Sequence, residues 1–141
     1  MNKPHVLVGK TLIDIQLAAD KEAIRFVTTD GDVVALCDAD CCSHTWVETV
    51  ESTLRRFPAT ILKAGDLELN REPEDDPELE VVQFYGFELV TDQGVVIFDY
   101  RNSSNGYYGG WLVWEGEHHY GGVYAQNVSD QVWQAIEGLT A

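Results

Sequence analysis

The alternation of hydrophobic and polar residues near the N-terminus predicts three β-strands. Residues Thr11–Ala18 and Ala23–Thr29 alternate with a period of two, as half-buried strands do, and Val33–Cys37 follows as a third strand. Asp20-Lys21 separates the first two segments, and Asp30-Gly31-Asp32 precedes the third. Such residues are typical of tight turns, so we expect consecutive strands to pair as hairpins.

Two segments instead have the spacing of helices. Thr45-Trp46-Val47-Glu48 has the form of a capping box, and the apolar residues that follow are spaced as on one helical stripe: Trp46, Val47, Val50 and Leu54. Near the C-terminus, Ser129 is a candidate N-cap for a last helix with Val132, Trp133 and Ile136 on one face.

The remaining patterns predict more strands. They are Thr60–Leu69, a hairpin of Leu79–Val90 and Val95–Arg101 around Thr91-Asp92-Gln93-Gly94, and Gly109–Glu115. We therefore predict an α+β fold: a mostly antiparallel sheet of about six or seven strands, with one helix after strand 3 and a C-terminal helix. A length of 141 residues fits a single domain spanning 1–141.

Composition restricts the possible partners. The chain has 24 Asp and Glu against 9 Lys and Arg, a formal net charge of −15. Direct binding to nucleic acid or to an anionic membrane needs a basic face, so we expect neither. No apolar run approaches the ~20 residues of a membrane span, and no signal peptide is evident. Three cysteines, two of them adjacent, favour a reduced cytoplasmic protein over a disulfide framework.

The charge is concentrated in one segment. Residues 66–80 contain eight acids and one base, and prolines with like-charge repulsion predict an exposed acidic loop around 70–78. This loop is either a solvated connection or an acidic patch for a basic protein partner. In the second case the protein would be an interaction module, or an inhibitor that imitates nucleic acid, with these contact residues: Glu72, Glu74, Asp75 and Asp76.

A polar and aromatic segment, 101–110, is the best candidate for ligand binding. It begins at Arg101, the only Lys or Arg after Arg71, and continues Asn102-Ser103-Ser104-Asn105-Gly106-Tyr107-Tyr108. Amides and hydroxyls give directional hydrogen bonds, rings give stacking faces, and Arg suits phosphate, carboxylate or rings. The mixture fits a planar ligand with polar edges. The alternative is a twisted hairpin whose Tyr rings pack on the sheet.

Candidate metal ligands are poorly spaced. Cys37, Cys41, Cys42 and His44 lie in one run, whereas zinc sites favour two separated pairs. His118 and His119 are adjacent, and adjacent residues of a strand point to opposite faces. A zinc-dependent enzyme is therefore the third hypothesis, after a ligand-binding protein and the acidic interaction module. The alternative for the cysteines is that one or two of them fill the core. We predict no catalytic residue, no metal and no cofactor.

Three motifs resemble those of a family of small phage-encoded domains: Gly9-Lys10-Thr11-Leu12, Asp40-Cys41-Cys42-Ser43 and Ser104-Asn105-Gly106-Tyr107-Tyr108. The resemblance covers roughly residues 6–115 and extends to the Thoeris anti-defence sponges, phage oligomers that sequester cyclic nucleotide immune signals without cleaving them. It implies a homo-oligomer with a pocket near a subunit interface, whose ligand-binding residues here would be Arg101, Phe84, Asn105 and Tyr107. Ser104 is the further candidate from the same polar segment.

Overall fold

The computed structural model describes residues 5–39, 43–68, 74–75, 81–104, 110–115 and 131–140. This part of the chain forms ten strands. Their bounds are β1 Thr11–Ala18, β2 Ala23–Thr28, β3 Gly31–Ala39, β4 His44–Ser52, β5 Ala59–Leu67, β6 Glu74–Asp75, β7 Val81–Thr91, β8 Gly94–Ser104, β9 Gly110–Val113 and β10 Trp133–Ala135. Within these ranges no helix is present that is long and apolar enough to cross a membrane.

One antiparallel sheet folds over a single core. The strand order is β4-β8-β7-β5-β1-β2-β3-β9, with β10 added to β1 and β6 added to β7. The junction between the two halves is short, because β1 and β5 pair only at Thr11 and Leu12. The halves pack face to face, as Phe26 of β2 shows by contacting Phe87 of β7 and Phe98 of β8 at centroid distances of 6.4 and 5.7 Å. We call the side of the sheet that points into this core the inner face, and the opposite side the outer face.

The predicted helix after strand 3 is wrong, and so is the α+β class: the described chain is all-β. The segment His44–Ser52 is strand β4, paired with β8. Its register shifts between Val47 and Thr49, so Val47 and Val50 both face inward although they are three residues apart. Leu54 continues the inner face four residues later. A β-bulge therefore reproduces the 3 and 4 spacing of a helical stripe.

The predicted C-terminal helix is also wrong within the described residues. Trp133–Ala135 is strand β10, paired with β1 through Ala18 and Trp133. Trp133 packs against a small second cluster on the outer face, whereas Ile136 packs against the main core. Residues three apart on a strand face opposite sides, whereas on a helix they would share one face. The strand count of six or seven is likewise corrected to ten.

The hairpins of the sequence-based prediction are confirmed. Thr11–Ala18 pairs with Ala23–Thr28, and β2 pairs with β3 through the turn at Asp30. The long β7–β8 hairpin turns at Asp92 and Gln93, and every residue from Val81 to Thr91 is paired with β8. This hairpin is the central part of the second half of the sheet. It carries Phe84 and Arg101, two of the candidate ligand-binding residues.

Candidate functional site

Arg101 lies on the outer face of β8 between two aromatic residues. Its pairing partners are Trp46 on β4 and Phe84 on β7. Partners in an antiparallel ladder point to the same face with Cβ atoms about 5 Å apart. The guanidinium carbon of Arg101 stands 4.7 Å from the Phe84 ring centroid, which is a cation–π contact. The structure therefore brings together two of the predicted residues and adds Trp46.

Acidic groups surround this row of side chains. Asp99, two residues before Arg101 on the same face, accepts from its Nε and Nη2 at 3.3 and 3.2 Å. The Trp46 indole donates to Glu48 at 2.7 Å. Arg101 therefore brings a charge that is already partly balanced, and its flat guanidinium lies among rings.

His44 extends the aromatic surface along β4. Its ring stacks on Trp46 with centroids 5.2 Å apart and an interplanar angle of 21°. Its Nε2 lies 3.1 Å from Glu22 Oε1. Burial, followed by the neighbouring Asp20, raises the pKa of the Glu22 carboxyl, while His44 acts in the opposite direction. We call the surface formed by His44, Trp46, Phe84, Asp99 and Arg101 the aromatic platform.

Ser104 lies on the other side of the sheet. Along β8 the buried and half-buried residues alternate, so Ser104 is buried on the inner face while Arg101 is on the outer one. The structure therefore separates two residues that the sequence reading had assigned to one site. Asn105 and Tyr107, which were assigned to the same site, lie outside the described residues.

Near Ser104 the core ends in a polar cluster. Asn102 is completely buried, and its amide nitrogen donates to Thr45 Oγ1 at 3.0 Å and to Ser43 Oγ at 3.2 Å. Among the described residues no donor reaches Asn102 Oδ1. Gly110 permits the close approach of β9, because a Cβ there would lie 1.9 Å from Thr45 Oγ1.

The Cys/His run does not form a metal site in the part of the chain that the structure describes. No group of three His, Cys, Asp or Glu side chains suited to a metal occurs there. Cys37 packs against the main core. Burial raises the pKa of its thiol strongly, with Glu22 and Asp20 raising it further, so the thiol is neutral and a poor nucleophile. Cys41 and Cys42 lie outside the described residues.

The acidic loop, 70–78, is described only at Glu74–Asp75. These residues form β6, which pairs with Val81 and Val82 of β7. Glu72 and Asp76 lie outside the described residues. The backbone of this short strand is thus paired with β7 where β7 extends beyond its partner β5.

Sequence reasoning missed Trp46 and Asp99 as parts of the platform, and it considered His44 only as a metal ligand. Asp99 could have been identified from sequence, because residues two apart on a strand share a face and Arg101 is a candidate. Trp46 could not have been identified, because the pattern of its segment predicts a helix with Trp46 on the buried stripe. Its place beside Arg101 follows only from the pairing of β4 with β8.

A similar unit on the other half of the sheet provides a comparison. Arg25 lies over the Trp133 ring at 5.0 Å and forms an ion pair with Asp32 at 3.8 Å. Its Nε also donates to Gln16 at 2.7 Å. Here the guanidinium links β2 to β1, β3 and β10. The two arginine–aromatic units have the same chemistry, but the Arg101 unit also adjoins the stacked rings of His44 and Trp46.

Comparison with known proteins identifies relatives without assigning a role. A family model described as a domain of unknown function, DUF7448, matches residues 5–114. The uncharacterized protein L278 of Acanthamoeba polyphaga mimivirus is 34% identical over 94 residues, which cover 63% of this chain and 72% of L278. No solved structure matches.

Proposed function

We propose that this chain, which belongs to the DUF7448 family, is a non-catalytic protein that binds a planar, polar-edged small molecule on the aromatic platform. The observation that carries the proposal is the position of Arg101 between Trp46 and Phe84 on one outer face. Exposed rings on a sheet are a common stacking surface for bases, at about 1–3 kcal/mol per base.

The platform favours stacking over charge recognition. Trp46 and Arg101 are partly exposed, which leaves part of each side chain open to a flat ligand, although His44 stacks on Trp46. Asp99 already accepts from Arg101, so an anionic group must compete with it. The ligand should therefore gain most of its affinity from its ring and its hydrogen-bonding edges. A phosphate, where present, should add less than it does at an arginine without a carboxylate neighbour.

The more specific proposal is that the ligand is a nucleotide-derived immune signal, which the protein sequesters intact. It rests on the resemblance of the motifs to the phage sponges. A nucleobase is planar and has polar edges, as the platform requires. The mimivirus relative supports a viral setting for the family.

Isothermal titration with cyclic ADP-ribose isomers and cyclic oligonucleotides tests the proposal. Arg101→Gln should weaken binding of a positive ligand at least tenfold. The matched control is Arg25→Gln, which removes the same type of cation–π contact and ion pair from the other half of the sheet and should leave affinity unchanged. Recovering the ligand intact after incubation checks that the protein is non-catalytic. The absence of heat and of thermal shift with every compound would reject the proposal.

The acidic protein-interaction module remains the second candidate, because β6 holds part of the acidic segment against β7. Its proposed partner is a basic protein. Neutralising Glu72, Glu74, Asp75 and Asp76 to their amides should abolish capture of that partner, while ligand titration on the platform should be unaffected. Capture that survives the four changes would exclude this role for the segment.

A further inference from the structure

A cavity lies at the β7–β8 turn. It is lined by Arg55 and Arg56, from the connection between β4 and β5, and by Gln93 of the turn. It is an open surface pocket with a volume of about 450 Å³, and the Arg55 and Arg56 side chains that line it are exposed. Two guanidinium groups and one amide are a lining with many hydrogen-bond donors.

The backbone around the cavity is firmly held. The Arg55 amide donates to Gln93 O at 2.9 Å, and the Thr53 amide donates to Val95 O at 2.8 Å. Leu54, between them, is completely buried in the core. The β4–β5 connection is thus fastened to the β7–β8 turn. The backbone at Arg55 is therefore held before any ligand arrives, so binding there needs to order the side chain and not the backbone.

Arg55 and Arg56 differ from the other described arginines in their lack of an ion pair with a described residue. Among the four arginines in the described ranges, Arg25 and Arg101 each form an ion pair with an aspartate. Neither Arg55 nor Arg56 forms an ion pair with any described residue, in a chain with 24 acids. Adjacent like charges repel each other, and an anion between them removes that repulsion.

We propose that Arg55, Arg56 and Gln93 form a binding site for the phosphate group of a small molecule. Arginine presents a planar fork of donors that matches phosphate oxygens in pairs, and the Gln93 amide can donate as well. The site is separate from the aromatic platform. Arg101 is seven residues from Gly94 along β8, or about 23 Å at ~3.3 Å per residue.

NMR titration of the ¹⁵N-labelled full chain tests the proposal. The probes are inorganic phosphate, adenosine monophosphate and adenosine, each added at constant ionic strength maintained with chloride. We expect saturable shifts of the Arg55, Arg56 and Gln93 amides with both phosphates and none with adenosine. Equal affinity for inorganic phosphate and adenosine monophosphate would mean that the site recognises the anion alone. Tighter binding of the monophosphate would mean that the site also contacts the nucleoside.

Two matched double variants distinguish binding at this site from a general effect of net positive charge. Arg55→Gln combined with Arg56→Gln should weaken phosphate binding at least tenfold. Lys21→Gln combined with Lys63→Gln removes the same two charges from exposed residues elsewhere and should leave it within twofold. Absence of saturable shifts, equal binding of adenosine, or equal losses in the two double variants would each overturn the proposal. Arg101→Gln should retain this binding whatever happens at the platform.

Discussion

Gly94 fixes the β7–β8 turn against the β4–β5 connection, and replacing it should be unusually costly. Its φ is +135°, a conformation that residues with a Cβ rarely adopt. A Cβ built there would lie 2.4 Å from Thr53 O and 2.7 Å from Thr53 C. Gly31 has a similar φ of +113° at the β2–β3 turn, but nothing lies within 4 Å of its Cβ position. The two glycines therefore differ mainly in the contact.

The expected loss of unfolding free energy in each variant follows from the backbone strain and from the contact with Thr53. Gly31→Ala should cost only the backbone strain, of the order of 1–3 kcal/mol. Gly94→Ala carries a similar strain and must also push the Thr53 backbone away. That movement disrupts two hydrogen bonds, from Thr53 N to Val95 O and from Arg55 N to Gln93 O. At about 1 kcal/mol for each bond, Gly94→Ala should cost about 2 kcal/mol more than Gly31→Ala.

Urea unfolding of the two variants and the parent chain measures this difference, with equal m-values as a check that the unfolded states match. In a thermal scan, an extra 2 kcal/mol should appear as a Tm about 4–8 °C lower for Gly94→Ala than for Gly31→Ala. Losses that agree within about 0.5 kcal/mol would refute the reasoning, because the contact with Thr53 would then contribute nothing.

Three further predictions concern other parts of the molecule. Gly110→Ala should destabilise the fold because its Cβ would lie 1.9 Å from Thr45 Oγ1, and adding Thr45→Ala should restore part of the loss; additive losses in the double-mutant cycle would contradict this. Burial raises the pKa values of Cys37 and Tyr100, so both groups ionise more readily in the unfolded chain, and the free energy of unfolding should fall as pH rises above about 9. Cys37→Ala should make this fall shallower in urea unfolding measured over a range of pH. An unchanged slope would contradict the prediction. Asp99→Asn should tighten the binding of anionic platform ligands in titration calorimetry, and weaker binding would show that the aspartate supports the site.

Several strands could be predicted from alternation and turn residues, but the register shifts within them could not. The second and third strands and the β7–β8 hairpin follow alternation and turn residues, and they were found. In β1 the register shifts between Leu12 and Asp14, so Leu12 and Ile15 are both fully buried although they are three apart. The same kind of shift in β4 imitates a helix. A bulge depends on the partner strand as well as on its own sequence, so alternation in one strand cannot reveal it.

The candidate site could be predicted in part. Phe84 was predicted from the resemblance and Arg101 from the polar segment as well as the resemblance, and the structure places them in contact. Ser104 was grouped with Arg101 because the two are close in sequence, yet an odd separation on a strand places side chains on opposite faces. That error was avoidable, since the strand needed only to be extended by three residues. Trp46 could not have been placed, because its neighbours come from a distant strand pairing.

Two pairs of strand ends that are distant in sequence meet through the topology of the sheet. Ala39 at the end of β3 pairs with Gly110 at the start of β9, and His44 at the start of β4 pairs with Ser103 near the end of β8. These strand ends therefore lie at the same end of the sheet, although about sixty residues separate Ala39 from Ser103. Asn102 of β8 ties this end to the residue before β4, because its buried amide donates to Ser43 Oγ. A substitution of Asn102 should thus disturb the start of β4 as well as the end of β8.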